Sequence, residues 1–441
     1  QNFKEEGAGP QYKILLEDND LLTKVKSLSE SAYLLRDMIN TPANEFGPDE
    51  IANTVKAVSD MFSAKYNVTE KAGLEKNFPL VHAVGKASSV GPRVAEIEWG
   101  DKSNPKLALV GKGVSFDTGG LNLKPGQHMA LMKKDMGGAA HALAIAYIIM
   151  SLNLPVHLHL VIPTVENAVA GNAFRPGDVY KSRKGLTVEN TNTDAEGRLI
   201  LADALTFASE SEPDLLIDFA TLTGSARAAL GQVIPPFFAT NEAEGDKLEK
   251  LSFENFDPLW RMPLYKPYKS LIKSDIADLV NSASPPGDRI YSALFLNSFV
   301  GDKVEWMHFD TFAWEASGKP GRPKGGVETG LFSVFKYISK RFDLHDNTKL
   351  LELGCGRGDF LFEFQNFGFE CKGLDRDESS VKNEYGLEVK QCDLASDVFP
   401  YNDESFDVVL SRGLAPMRVL AEYTLPFCRI GGVSVSYKKG D

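Results

Sequence analysis

The sequence has little cysteine and no long apolar run. Its four cysteines, Cys355, Cys371, Cys392 and Cys428, all fall within the last 87 residues, and no two of them have CxxC spacing. Neither a zinc knuckle nor a redox pair is therefore indicated, and we expect reduced thiols in a cytosol. The longest apolar stretch, about 139–150, is too short to span a bilayer and predicts a buried helix.

The sequence also has no net positive charge. The formal net charge is −12 over 441 residues, which leaves no general basic footprint for nucleic acid or an anionic membrane, and we expect neither partner. The first ten residues, QNFKEEGAGP, are polar and do not resemble a signal peptide, so we expect a cytoplasmic protein. A content of 43% hydrophobic and 24% charged residues excludes a disordered chain, a collagen and a disulfide-rich miniprotein.

Hydrophobic periodicity predicts helices over 20–39 and 50–64, the second with Pro48 near its first turn. From Leu80 onward, short β-rich runs alternate with helical segments, of which 138–152 and 199–208 are the clearest. This alternation is typical of an α/β layered fold with a largely parallel sheet. The polar segment SKRFDLHDNT then predicts a boundary that divides the chain into domains 1–341 and 342–441.

Carboxylates and lysines concentrate in three segments that each end in a glycine-rich turn or a helix start. These segments are KGVSFDTGGLNLKP (112–125), MKKDMGG (132–138) and NTDAEGRL (192–199). If DAEGR is extended, Asp194, Glu196 and Arg198 project to one face. Four carboxylates cannot share a pocket uncompensated, and divalent cations such as Zn, Mn, Mg or Co would solve that problem.

Each motif alone also has an ordinary structural explanation. An isolated DxE or DxGG is usually a solvated turn, His157 and His159 fit an alternating strand, and His141 fits a packed position on an apolar helix. The sequence contains neither HExxH nor GxSxG, which disfavours a gluzincin and a serine hydrolase.

Together, the motifs are informative. Residues from about 30 to 340 resemble the catalytic domain of the M17 leucyl aminopeptidases, through LLRDMINTPANEFGP, VGKGVSFDTGGLNLKP, MKKDMGGAA, GNAFRPGDV, NTDAEGRLILADAL and DFATLTG. The resemblance implies a three-layer α/β/α domain with a mixed central sheet. It further implies peptide substrates with a free N-terminus, a preference for Leu, and a homo-oligomer, specifically a hexamer. Members usually carry a further N-terminal α/β domain, which we do not expect in this chain.

The same resemblance implies roles for individual residues. Two divalent metals, Zn or Mn, would be bridged by Asp117 and Glu196, and Lys112 would ligate through a neutral amine. Lys124 would polarise the scissile carbonyl, and Arg198 would hold a bicarbonate that serves as general base. The implied metal ligands are Lys112, Asp117, Asp135, Asp194 and Glu196, and the implied substrate-binding residues are Met132, Thr221, Leu222 and Gly224.

The C-terminal part carries a second set of motifs, beginning with ELGCGRG after a predicted strand. Residues 348–410 resemble class I S-adenosylmethionine-dependent methyltransferases, whereas residues 411–441 resemble the glucose-inhibited division protein B family of ribosomal RNA methyltransferases. The resemblance implies an incomplete Rossmann-like α/β module of about five strands within a chimeric chain. The residues it implies for cofactor binding are Glu352, Gly354 and Gly356 at the methionine end, Asp375 at the ribose and Asp393 near the adenine.

The leading hypothesis is therefore a metal-dependent aminopeptidase with a truncated methyltransferase-like appendage. One alternative is a methyltransferase with a passive hydrolase domain, which the short C-terminal module disfavours. Weak binding of S-adenosylmethionine stays open, but methyl transfer is not expected. The other alternative is a non-catalytic DNA-binding role, which the net charge disfavours.

Overall fold

A computed structural model of the chain describes residues 19–318, 322–342, 349–353, 355, 361, 370–376, 388–392, 400–401, 406–412 and 428–437. The chain divides into two compact units, Gln1–Tyr337 and Ile338–Asp441. The domain boundary expected after residue 341 stays a prediction. Among the described residues, no helix has the length and apolar character needed to cross a membrane.

The helices predicted from hydrophobic periodicity are present within a few residues of their predicted bounds. The longest, α1, spans Asn19–Asn40. The remaining described helices are α2 (Pro48–Met61), α3 (Lys71–Asn77), α4 (Pro79–Gly85), α5 (Gly126–Met129), α6 (Gly137–Ser151), α7 (Glu196–Ser209), α8 (Gly224–Leu230), α9 (Glu242–Glu254), α10 (Asp288–Asn297) and α11 (Leu331–Arg341), with 3₁₀ helices at Met132–Met136 and Lys266–Ile272.

Local chemistry explains the ends of α2. Pro48 occupies the first turn, where its missing N–H costs nothing, and the Gly47 N–H donates to Glu50 Oε2 at 3.0 Å. The helix ends at Met61, three residues before the predicted end, because Ser63 adopts a left-handed conformation with φ 53°.

Nine strands of the first unit form one mixed sheet, in the order β1-β2-β5-β3-β8-β12-β9-β10 with β4 also paired to β5. Its centre, β5-β3-β8-β12, is parallel, whereas the β1-β2, β2-β5 and β12-β9 pairs are antiparallel. The strands of this unit are β1 (Lys65–Glu70), β2 (Arg93–Trp99), β3 (Lys106–Gly111), β4 (Gly113–Asp117), β5 (His157–Asn167), β6 (Val179–Lys181), β7 (Thr187–Glu189), β8 (Leu215–Ala220), β9 (Pro236–Ala239), β10 (Trp260–Arg261), β11 (Leu279–Val280), β12 (Trp306–Asp310), β13 (Trp314–Glu315) and β14 (Gly325–Gly326).

Helices cover both faces of this sheet. One hydrophobic core joins Ala108 and Val110 of β3 to the buried side chains of α7. Helix α6 packs on β3 and β8 as well, but none of its side chains belongs to that core. Because successive strand residues face opposite sides, α6 and α7 lie on opposite faces. The predicted three-layer α/β/α fold with a mixed central sheet is confirmed.

The second unit contains a five-stranded parallel sheet in the order β17-β16-β15-β18-β19. Its described core is formed by seven buried side chains, which are Leu351, Leu353, Leu374, Cys392, Tyr401, Phe406 and Val409. The strands are β15 (Lys349–Leu353), β16 (Glu370–Asp375), β17 (Glu388–Gln391), β18 (Phe406–Arg412) and β19 (Cys428–Tyr437). An all-parallel sheet of this order is compatible with the Rossmann-like prediction.

Candidate metal centre

The candidate site lies at the carboxyl ends of the central strands, which is where open α/β sheets bind ligands. Lys112 directly follows β3, and Asp117 is the last residue of β4. Asp135 lies in the 3₁₀ helix Met132–Met136, which leads into α6, and Glu196 is the first residue of α7. Four segments of the chain therefore deliver charged side chains to one edge of the sheet.

The extended conformation considered for DAEGR is wrong. Ala195 has φ −107° and ψ 38°, and α7 begins at the next residue, so Glu196 and Arg198 lie in the first turn of a helix. Positions two apart on a helix point in different directions. Glu196 accordingly faces the carboxylate cluster, whereas Arg198 reaches the backbone of Asn281.

Two lysines neutralise part of the charge of the site. The Lys112 amine lies 2.7 Å from Asp135 Oδ2 and 2.9 Å from Glu196 Oε1, and it donates to the Thr221 carbonyl at 3.0 Å. The Lys124 amine lies 2.8 Å from Asp117 Oδ2 and 2.5 Å from Asp194 Oδ1. Four carboxylates thus contact two ammonium groups.

Burial shapes the protonation of these groups. Burial disfavours the charge on Lys112, but Asp135, Glu196 and Asp117 outweigh it and hold the pKa of the amine above its usual value. Burial likewise opposes the charge on Lys124, and the carboxylates, Asp117 foremost, raise its pKa. Burial raises the pKa of Glu196 to about 8, with the nearby Asp117 and Asp135 acting in the same direction. The site therefore has more carboxylate than it can keep ionised.

The donor set fits a divalent cation. Asp117, Asp135 and Glu196 are all buried, and each offers one oxygen within 4.8 Å of the others. Glu196 Oε2 is buried and has no hydrogen-bond partner among the described residues. Oxygen donors in such a group suit hard or borderline divalent metals, and a cation would satisfy the orphaned oxygen and the excess negative charge. Asp194, which is 34% exposed, joins this group through Lys124.

Three residues outside the predicted metal-ligand set orient the carboxylates. Asn167 Nδ2 and the Gly119 N–H each donate to Asp117 Oδ1 at 2.8 Å. The Thr221 hydroxyl donates to Asp135 Oδ1 at 2.7 Å. Such outer contacts fix the direction of ligating oxygens. Asn167 ends β5, 50 positions from Asp117, and no local pattern marks it as part of the site.

Two glycines are required by the close packing of the site. Gly119 has φ 86°, and a Cβ there would meet Asn122 O at 2.5 Å and Asp194 Oδ1 at 2.8 Å. A Cβ on Gly197 would meet Lys112 Cε at 2.6 Å. These contacts explain why DTGG and EGR carry glycine beside the charged residues.

Arg198 is buried beside the cluster. Its Nη1 donates to the Asn281 carbonyl at 2.6 Å, its Cζ lies 5.7 Å from the Tyr291 ring centroid, and its buried Nε has no hydrogen-bond partner among the described residues. Burial lowers the pKa of this guanidinium. An unpaired donor of this kind is suited to an anion.

Three of the four predicted substrate-binding residues, Thr221, Leu222 and Gly224, lie between the end of β8 and the first residue of α8. A buried carboxylate that the motifs did not identify, Asp310, fixes the segment. Its Oδ1 accepts from the N–H groups of Leu222 at 2.9 Å and Thr223 at 3.2 Å, and its Oδ2 accepts from the Thr223 hydroxyl. The fourth predicted residue, Met132, begins the 3₁₀ helix that carries Asp135.

The predicted cofactor-binding residues of the second unit are only partly described. Asp375 is the last residue of β16, at the carboxyl end of a parallel sheet. Glu352 lies in β15, where its backbone pairs with Gly373, and the structure does not describe its side chain. Gly354, Gly356 and Asp393 lie outside the described residues. Their roles stay predictions.

Comparison with known proteins identifies two families. Residues 33–332 match the family described as "Cytosol aminopeptidase family, catalytic domain", and residues 335–433 match "Methionine biosynthesis protein MetW". The second match is compatible with the predicted methyltransferase-like segment. It also extends over residues 411–433, and the resemblance noted there to the glucose-inhibited division protein B family stays a prediction.

Individual relatives agree with the first match. "Probable cytosol aminopeptidase" of Chlamydia muridarum is 41% identical over 328 residues, which cover 73% of this chain and 66% of that protein, and the Chlamydia felis protein of the same name is also 41% identical, with the same coverage. The chain thus spans about two thirds of the length of these relatives.

Solved structures give the same result. A crystal structure of cytosol aminopeptidase from Coxiella burnetii has a TM-score of 0.72 and 49% identity, covering 74% of this chain and 71% of that chain. "Bottromycin maturation enzyme BotP in complex with Mn" has a TM-score of 0.71 and 34% identity, covering 74% and 73%. With the carboxylate cluster in place at the strand ends, these matches show that the chain belongs to the cytosol aminopeptidase family.

Proposed function

We propose that this chain is a metal-dependent aminopeptidase that releases N-terminal residues, preferably Leu, from peptides. The observation that carries the proposal is the buried group of Asp117, Asp135 and Glu196, whose oxygens lie within 4.8 Å of one another beside two lysines. The names of the relatives support the same activity.

Two divalent cations, Zn or Mn, fit this proposal, and one similar structure, that of BotP, is in complex with Mn. When bound, the cations would supply a water of lowered pKa and stabilise developing negative charge. The residues that would hold them are Asp117, Asp135, Asp194 and Glu196, together with Lys112, whose ammonium would have to give up its proton to ligate as a neutral amine.

Lys124 would act on the scissile carbonyl. Asp117 and Asp194 hold its amine in place, and the carboxylates keep its pKa above the usual value, so it stays protonated at neutral pH. A fixed ammonium can donate to an oxygen that gains negative charge during the reaction. Its exposure of 15% leaves part of the side chain accessible to a substrate.

Arg198 would hold the general base. Its unpartnered Nε and its anchored Nη1 leave the guanidinium fixed and able to bind an anion. Bicarbonate, as the family resemblance implies, offers planar oxygens that match the guanidinium fork and can accept a proton from water.

The substrate would bind with its free α-amine at Asp135 and its backbone along the Thr221–Gly224 segment. Asp310 holds the N–H groups of Leu222 and Thr223 and so fixes the backbone along which the peptide would lie. An apolar first pocket distinguishes Leu from Met only weakly, because one methylene is worth about 1–3 kcal/mol.

The remaining inferences concern oligomeric state, location and the second unit, and the oligomeric state rests on the family resemblance alone. We infer a homo-oligomer, specifically a hexamer, and a cytoplasmic location, and the relatives' names as cytosol aminopeptidases support the location. For the second unit, the match to MetW and the parallel sheet support at most the binding of S-adenosylmethionine. Calorimetry with S-adenosylmethionine tests this, and an absence of binding heat would dismiss it.

The aminopeptidase proposal is tested by removing and restoring metal. The protein is treated with a chelator, dialysed, and assayed with a leucyl anilide before and after addition of Mn, Zn, Co or Mg. We expect activity to be lost and then restored in wild type, and to be absent in Asp135→Asn. Asp60→Asn, on the surface of α2, is the matched control and should behave as wild type. Full turnover of the chelated protein would refute the proposal.

A further inference from the structure

A buried asparagine that is not among the predicted site residues joins two parts of the candidate metal centre. Asn281 directly follows β11 and is fully buried. Strand β11 pairs in parallel with β7, and the Asn281 N–H donates to the Glu189 carbonyl at 3.0 Å. This pairing places Asn281 beside the turn through which the chain leaves β7 and enters the NTDAEGRL motif.

The side chain of Asn281 holds this turn. Its Oδ1 accepts from the Thr191 N–H at 2.8 Å. Its Nδ2 donates to Asn190 Oδ1 at 2.8 Å and to the Asn192 carbonyl at 2.7 Å. Asn192 Oδ1 in turn accepts from the Asp194 N–H at 2.9 Å. One buried amide therefore fixes the backbone that leads to Asp194.

The main chain after β11 holds Arg198. The three successive carbonyls of residues 281–283 accept hydrogen bonds, in that order, from Arg198 Nη1 at 2.6 Å, the Thr191 hydroxyl at 2.6 Å and the Tyr291 hydroxyl at 2.7 Å. The Tyr291 ring also lies against Arg198, whose guanidinium carbon is 5.7 Å from the ring centroid. We call residues 281–283 the clasp. The clasp and the Tyr291 ring together set the position of the guanidinium.

We propose that Asn281 is a positioning residue that fixes Asp194 and Arg198 relative to each other. This inference rests on the proposed aminopeptidase function, in which Asp194 would hold a metal and Arg198 the anion that serves as general base. An asparagine amide has two donor hydrogens and one acceptor oxygen, and the turn uses both kinds. Because a buried amide that loses a partner is unfavourable, the turn and the clasp cannot shift independently.

The test measures the two held residues separately. Calorimetric titration of the metal-depleted protein with Mn²⁺ gives the affinity of each bound ion and reports on Asp194. Hydrolysis of a leucyl anilide by the Mn-loaded protein, in carbonate-free buffer to which bicarbonate is added, gives the bicarbonate concentration for half-maximal kcat and reports on Arg198.

Asn281→Asp should change both measurements. It sets a carboxylate oxygen against Asn190 Oδ1 and the Asn192 carbonyl, which displaces the turn and the clasp. We expect the weaker of the two Mn²⁺ ions to bind about 10- to 100-fold less tightly, as is typical when a residue that orients metal ligands is lost. The bicarbonate concentration for half-maximal kcat should rise as well.

Tyr291→Phe should change only one of them. It keeps the ring against Arg198 but removes the hydroxyl that holds the Ala283 carbonyl. We expect the required bicarbonate concentration to rise about fivefold, the size of one neutral hydrogen bond, and Mn²⁺ affinity to stay at the wild-type value. Asn241→Ala, which removes the hydrogen-bonding cap of α9, is the matched control and should leave both measurements unchanged.

The outcomes separate this inference from the proposed function. If the wild-type protein with Mn²⁺ hydrolyses no leucyl anilide, the proposed function fails. If it is active and Asn281→Asp lowers stability in urea without changing both measurements, Asn281 has only a structural role and the inference is overturned while the function stands. Wild-type activity that is indifferent to bicarbonate also overturns it.

A second variant covers the case in which Asn281→Asp does not fold. Thr191→Val keeps the shape of the side chain and removes only the hydroxyl that donates to the Ser282 carbonyl. Weaker Mn²⁺ binding and a higher bicarbonate requirement in Thr191→Val would support the inference, and wild-type values for both would overturn it.

Discussion

Replacing Glu196 by Gln should have opposite effects on stability in the absence and presence of metal. The side chain is 1% exposed, its Oε1 pairs with Lys112, and its Oε2 has no partner in the part of the chain that the structure describes. Gln keeps the shape but removes one of four carboxylates that only two lysines neutralise. Without metal this relieves repulsion, and with metal it removes a ligand.

The magnitude without metal follows from the pKa. Burial and the neighbouring aspartates raise the pKa of Glu196 from 4.5 to about 8. A carboxyl with a raised folded-state pKa gives its full contribution to stability below the unfolded pKa, and that contribution is lost as the pH rises through the folded pKa. At pH 7 the ionised Glu196 therefore destabilises the wild-type protein by about 3 kcal/mol, which Gln avoids. The lost Lys112 contact offsets about 1–2 kcal/mol of that gain. We expect metal-free Glu196→Gln to be more stable than wild type by about 1–2 kcal/mol, with the difference increasing from pH 5 to pH 8.

With metal the sign reverses. A free Mn²⁺ concentration a thousand times Kd stabilises wild type by about 4 kcal/mol, whereas a variant that binds a hundredfold more weakly gains only about 1.4 kcal/mol at the same concentration. Urea unfolding followed by circular dichroism, with and without Mn²⁺, measures both differences. Glu328→Gln is the matched control. Glu328 is buried, and its Oε1 and Oε2 accept from Arg36 Nη2 at 2.6 Å and Arg36 Nε at 2.7 Å. The substitution should therefore lower stability to the same extent with and without metal. Equal destabilisation of Glu196→Gln under both conditions would refute the reasoning.

Three further predictions concern residues around the centre. Lys124→Met should keep the bound metal but lower kcat about 100- to 1,000-fold, as measured by metal analysis and anilide turnover, and a near-normal kcat would exclude its electrophilic role. Asp310→Ala leaves the N–H groups of Leu222 and Thr223 unpaired. It should raise KM and lower the free energy of unfolding in urea by about 2–5 kcal/mol, and Asp310→Asn should lower it less. An unchanged KM would contradict this prediction. Burial opposes the charge of His308, but Asp218, 2.7 Å away, outweighs it and raises its pKa, so this stabilisation is present below the unfolded pKa and is lost as the pH rises through the folded one. His308→Gln should therefore flatten the fall in stability above neutral pH, and an unaltered pH profile would exclude the pair as its source.

The sequence was sufficient to predict which carboxylates meet. Asp117, Asp135 and Glu196 each lie in a glycine-rich motif beside a strand end or helix start, and parallel strands bring such ends to one edge of a sheet. The alternation of strands and helices likewise predicted the layered fold, because the period of apolar residues reports which face is buried.

Sequence reasoning failed where the contacts depend on tertiary structure. The i, i+2 spacing in DAEGR suggested an extended segment, but the helix begins at Glu196 and turns Arg198 toward Asn281. Asn167 and Asp310 were missed because each lies at the end of a strand without a motif of its own. The available signal for Asp310 was the strand pattern of WMHFD, because a strand that ends in Asp at the same edge of the sheet can reach the site.

The most direct test of the account is a titration of the metal-depleted protein with Mn²⁺, in which bound metal and hydrolysis of a leucyl anilide are measured on the same samples. We expect turnover to appear only as metal binds and to reach its maximum at two ions per chain. Hydrolysis at the full rate before any metal is bound, or bound metal that leaves the rate unchanged, would contradict a catalytic centre built on these carboxylates.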